Sequence, residues 1–84
     1  MTDLEFELID QLYFVQTFEV LCNSLNMSES ELKITLKSVF DKDWIKVLDK
    51  KTDAEITDSD VWEKDFRNFY YLATKKGLFA HNTL

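Results

Sequence analysis

Apolar residues recur at helical spacing through the first half of the chain; from Trp44 onward they gather in short β-rich blocks between charged turns. Leu4, Leu8, Leu12 and Val15 keep a helical period, with Ile9 and Tyr13 widening the stripe, so a first helix is predicted, capped by Thr2 or Asp3. Asp3, Glu5 and Glu7 crowd its first turns, where the positive end of the helix dipole favours anions. Thr17 offers a second cap, before Phe18, Leu21, Cys22 and Leu25 at i, i+3, i+4 and i+7, and Asn26 is a suitable stop. Ser28-Glu29-Ser30-Glu31 has the S-x-x-E spacing in which Ser and Glu each satisfy an orphan backbone donor of the other. A third helix is therefore predicted from Ser28, with Leu32, Leu36, Val39 and Phe40 on its inner face and Asp41-Lys42-Asp43 as its exit. A short helix, a turn and a capped helix in succession form the outline of a helix-turn-helix.

Trp44 to Leu48, rich in aromatic and β-branched types, predicts a strand, broken by the charged turn Asp49 to Asp53. The next stretch reads two ways. Ala54 to Thr57 fits a returning strand, and Asp58-Ser59-Asp60 fits the cap of a helical turn carrying Trp62 and Phe66; periodicity does not separate them. Phe69 to Leu72 predicts the final strand, in which one alternating pair faces inward and the other outward. Thr74 is placed to cap a last helix with Leu78 and Phe79, and Gly77, the only glycine, falls in its first turn, where a side chain would meet a neighbouring element.

At 84 residues the chain has room for one core, so residues 1–84 are expected to form a single domain, and an apolar content of 45% speaks against disorder. The formal net charge of −6 is unevenly spread: residues 1–32 hold seven acids and no base, and ten bases against nine acids follow from Lys33 onward. Cys22 is the only cysteine and reads as a packed thiol; His81 is the only histidine and reads as a surface residue. One Cys and one His assemble neither a metal set nor a nucleophile and base pair, and one glycine makes no phosphate-cradling loop. The expectation is a protein without catalysis, cofactor or metal. With no secretory leader and no apolar run long enough to span a bilayer, a cytoplasmic location is expected.

The order helix, helix, capped helix, strand, charged turn, strand, helix resembles the winged helix-turn-helix superfamily over nearly the whole chain. Ser28 to Glu31, Trp44 to Leu48 and Tyr71-Leu72-Ala73-Thr74-Lys75-Lys76-Gly77 carry the resemblance. The last run is similar to the Y-x-L-T-x-x-G ending of bacterial winged-helix regulators, with Ala73 in place of the usual leucine. The resemblance implies an α+β, mostly helical fold: a three-helix core, a small antiparallel β-wing and a short C-terminal helix. It further implies transcription regulation by a homodimer on double-stranded DNA. The third helix would then enter the major groove with Ser30, Lys33, Ile34, Lys37 and Ser38, and Lys46, Lys50 and Lys51 would meet phosphates as the wing. Against this stand the absence of arginine from that helix, the negative charge, and the i, i+4 pairs Glu29–Lys33 and Lys37–Asp41, which would serve any exposed helix. The alternative is a winged-helix module that binds protein instead, with Phe66, Phe69, Tyr70 and Tyr71 as its interface.

Overall fold

The structure, a computed structural model, describes residues 1–83. Its elements are α1 (Asp3–Gln11), β1 (Gln16–Thr17), α2 (Phe18–Leu25), α3 (Glu29–Asp41), β2 (Ile45–Asp49), α4 (Ser59–Asp65), a 3₁₀ turn (Phe66–Asn68), β3 (Phe69–Ala73) and α5 (Lys75–Asn82). The fold is α+β and mostly helical, with β3 paired antiparallel between β1 and β2.

Local chemistry sets most helix boundaries. Thr2 and Ser28 both form capping boxes, with Glu5 and Glu31 respectively; the Thr17 and Thr74 hydroxyls accept the amides of Val20 and Gly77. Asn26 ends α2 in the left-handed region at φ 53°. Asp43, at φ 60°, turns the chain out of α3 while the Trp44 amide reaches back to the Val39 carbonyl. Leu8, Ile9 and Leu12 join Phe18 and Leu21 of α2, Leu32, Leu36 and Val39 of α3, Ile45 and Val47 of β2, and Phe69 and Tyr71 of β3 in one core.

Two expectations change. The first helix stops at Leu12, so Tyr13 and Val15 leave the apolar stripe and lie half exposed, and Leu4 is also exposed. The chain extends there because Gln16 and Thr17 pair with Tyr71 and Tyr70, a strand too short to leave a period in the sequence. The proposed strand over Ala54 to Thr57 shrinks to one bridge, Leu48 with Glu55, flanked by bonds from Asp49 N–H to the Ala54 carbonyl and from Ile56 N–H to the Val47 carbonyl.

The helical turn expected after it does form, as α4, capped by the Asp58 carboxylate on the Asp60 amide, because Trp62 has a place in the core. Its ring packs between Phe40 and Phe66, and its Nε1 donates to the Tyr71 hydroxyl at 3.0 Å, which in turn donates to the Phe66 carbonyl. Burial pushes the Tyr71 hydroxyl pKa far up, the indole donor offsets part of this, and the Asp65 charge adds to it, so Tyr71 is a neutral core donor.

Candidate interaction surfaces

Side chains on α3 fan out at ~100° per residue. Leu32, Thr35, Leu36 and Val39 point inward, and Ser30, Ile34, Lys37 and Asp41 share one outward strip about 60° wide. That strip is flanked on both sides. Lys33 turns toward α4, where Glu63 pairs with its ammonium and the Phe66 ring lies 4.9 Å from it. Ser38 turns toward α1 and donates to Glu5 Oε2 at 2.7 Å. Lys37 stays on the strip but is held by both Asp41 oxygens, at 2.6 and 2.8 Å.

Of the five residues expected to read a groove, therefore, Lys33 and Lys37 are paired with carboxylates and Ser38 is engaged by α1. Ser30 and Ile34 remain open, and Ile34, 69% exposed, is the most prominent side chain of the face. The expected Glu29–Lys33 pair is replaced: Glu29 accepts Arg67 Nε at 2.9 Å, a choice made by the 3₁₀ turn that sequence spacing could not reveal.

Lys46, Lys50 and Lys51 are exposed. Lys46 stands on the outward face of β2 opposite Leu72, and Lys50 Nζ sits 5.7 Å from the Tyr70 ring. They share their turn with Asp49, Asp53 and Glu55, so the stretch from β2 to the Glu55 bridge has as many acids as lysines. The Asp49 carboxylate accepts the Lys51 and Thr52 amides, and those bonds hold its pKa below the usual range.

Three of the four residues expected at a protein interface belong to the core. Phe69 and Tyr71 face inward on β3, and Phe66 is buried against Phe18 and Trp62 with the Lys33 and Arg67 cations over its ring. Only Tyr70, on the outward face, is half-buried and accessible.

An acidic surface lies on α1. Asp3, Glu7 and Asp10 share its outward strip, again about 60° wide, with Leu4 on one flank and Phe6 on the other. Glu5 points the opposite way, into the α1–α3 contact, and is 2% exposed. Burial alone would raise its pKa; bonds from Lys42 Nζ, the Thr2 amide and the Ser38 hydroxyl, with the Lys42 charge, outweigh burial and bring it down to about 2.

The folded chain therefore keeps Glu5 ionised at pH values where the unfolded chain protonates it. That stabilisation is complete above the ordinary value of 4.5 and is lost as pH falls toward about 2. Because Lys42 is 44% exposed and solvent screens the pair, the loss is of order 2 kcal/mol rather than the full shift. Urea unfolding at a series of pH values should show it, and Glu5→Gln should flatten the decline between pH 4.5 and 2. An equally steep decline in the variant would remove Glu5 as its source.

His81, expected at the surface, is buried at 8% exposure. Gly77 and His81 lie one turn apart on the inner side of α5, and Phe6 stacks on the imidazole at a centroid distance of 4.0 Å. Nδ1 lies 2.9 Å from Asn82 Oδ1, which also accepts the Tyr13 hydroxyl, while Nε2 has no hydrogen-bond partner and faces Asp10 Oδ1 at 3.5 Å. A lone histidine in a polar tail carries no signal of such burial. Cys22 is half-buried in α2, and burial, aided by the Glu29 and Glu19 charges, pushes its thiol up and away from nucleophilic use.

Among the described residues no cluster of three or more His, Cys, Asp or Glu is placed to hold a metal ion, and no helix is long and apolar enough to cross a membrane. No family model matches the chain, and comparison with curated proteins and with solved structures yields no match.

Proposed function

We propose that this chain is a non-enzymatic interaction module of winged-helix type that binds protein rather than double-stranded DNA. The element order and the β1-β3-β2 sheet are compatible with a winged-helix layout, in which α3 takes the place of the recognition helix and the segment between β2 and β3 that of the wing. One observation carries the choice of partner. The strip of α3 that would enter a groove presents Ile34, and the lysines beside it are paired with Glu63 and Asp41.

Duplex affinity rests on cations free to replace counterions at phosphates, and a lysine already bound to a carboxylate must first give up that partner. The helix in the wing segment works in the same direction, since α4 brings Glu63 against α3 where a compact hairpin would leave it open.

Fluorescence anisotropy with mixed-sequence duplex DNA at low salt tests this reading. No saturable binding is expected at tens of micromolar protein, and Lys33→Glu with Lys37→Glu should change nothing. Binding that weakens on a log–log salt plot with a slope near −0.9 per phosphate contact, and that this pair of substitutions abolishes, would establish the DNA reading instead.

A further inference from the structure

The outward ridge of α1 carries three like charges. Asp3 and Glu7 are i, i+4 neighbours and Glu7 and Asp10 are i, i+3 neighbours, spacings at which like charges destabilise a helix. Among the described residues neither Asp3 nor Glu7 has a cationic partner; the nearby Lys42 is spent on Glu5. A groove borders the ridge on each side, apolar toward α3 and mixed toward α2. Toward α3, Leu4 and Ile34 flank a groove of about 240 Å³; toward α2, Phe6 and Leu25 flank another of about 310 Å³, with Glu7 and Asp10 on its rim.

A second, independent observation lies beneath the ridge. His81 Nε2 is buried, lacks a hydrogen-bond partner and is aimed at Asp10 Oδ1. Its Nδ1 lies 2.9 Å from Asn82 Oδ1, and Asp10, with 60% of its side chain exposed, stands over the imidazole edge beside the Phe6 ring. An exposed carboxylate next to an aromatic ring suits a guanidinium or ammonium, which brings donors only.

Building on the protein-binding reading, we propose that α1 is the docking site for a basic amphipathic segment of a partner protein. Its apolar side chains would lie against Leu4 and Ile34, and one arginine or lysine would be received by Asp10 beside Phe6. Charge selects this occupant. A second copy placed across a two-fold axis would set acidic ridge against acidic ridge, and duplex DNA or an anionic bilayer meets the same repulsion. A segment carrying cations relieves the like-charge crowding while covering the apolar flanks, as in helix-in-groove recognition.

The test is a titration of the ¹⁵N-labelled full chain, followed by amide and imidazole resonances. Three probes are used: an amidated peptide with leucine and arginine at helical spacing, the same peptide with glutamate for arginine, and a short DNA duplex. The basic peptide is expected to shift Glu7, Asp10 and Ile34 amides and the His81 ring at low salt, while the acidic peptide leaves them still. Glu7→Gln with Asp10→Asn, both exposed, should weaken binding about five- to tenfold, the effect of two screened pairs, with the amide spectrum confirming that the fold is kept. Ile34→Ser should weaken it separately; undiminished binding in that variant would mean attraction to charge alone and would overturn the site.

Failure of the basic peptide to bind at millimolar concentration, or shifts scattered away from α1, would overturn it as well. Binding of the acidic peptide at Lys46 and Lys50 would overturn the α1 site yet leave protein binding standing. Shifts on α3 and the Lys50 turn with the duplex would overturn both.

Discussion

Trp62→Ala is expected to cost about 4 kcal/mol, the usual scale for deleting a fully buried indole. A domain of 84 residues has roughly 4–12 kcal/mol in total, so the variant should sit near the edge of folding. The loss has two parts. The cavity strips contacts from Phe40 and Phe66, and the Tyr71 hydroxyl loses its indole donor while remaining buried. Urea unfolding followed by circular dichroism measures it, with Trp62→Phe as a milder control that keeps a ring and loses the donor. A loss below about 1.5 kcal/mol would mean that α4 is not anchored in the core.

That anchoring bears on function, because α4 is what brings Glu63 to Lys33. If Trp62→Ala leaves a folded chain, Lys33 is freed together with the helix that neutralised it. DNA affinity absent from the parent and present in this variant would identify α4 as the element that closes α3 to nucleic acid.

Gly77→Ala is expected to destabilise by about 3 kcal/mol, in the overpacking range. An ideal Cβ at this position would lie 2.1 Å from the Trp44 carbonyl oxygen and 2.9 Å from its carbon. These are backbone atoms, and that oxygen already accepts the Thr74 amide at 3.0 Å, so α5 must move away from the start of β2 or lose the bond. In an unobstructed helix the same change stabilises by about 1 kcal/mol, so the sign of the effect is diagnostic. Thermal unfolding should show the midpoint falling by more than about 10 °C. A rise would show that α5 does not pack on Trp44.

The helix starts were legible because caps are local chemistry: a hydroxyl and an amide three residues apart need nothing from the rest of the chain. So Thr2, Thr17, Ser28 and Thr74 cap where expected, and Asn26 stops where expected. The alternation in β3 was legible for a similar reason, since a strand's two faces are fixed by its period; Phe69 and Tyr71 go in, Tyr70 and Leu72 stay partly out. What alternation could not say is which face would be covered. Phe66, Phe69 and Tyr71 therefore proved to be core residues rather than an interface, and the crowding of Gly77 was visible only as an oddity until Trp44 was seen beside it.

Taken alone, the amino-acid order determined the helical segments, their caps, the inner faces of α2 and α3, and the concentration of acids in the first 32 residues, since each depends on neighbours a few positions away. Tertiary structure decided the remainder. It created β1 by pairing Gln16 with Tyr71, settled the stretch after β2 as one bridge and the helix α4 by burying Trp62, joined Lys33 to Glu63 and Arg67 to Glu29, and buried His81 beneath Asp10. In each case the partner lies many residues away, and side-chain period carries no information about which distant group will be near. The charges that bear on what this protein binds were thus countable in the sequence, and only packing determined which of them remained unpaired.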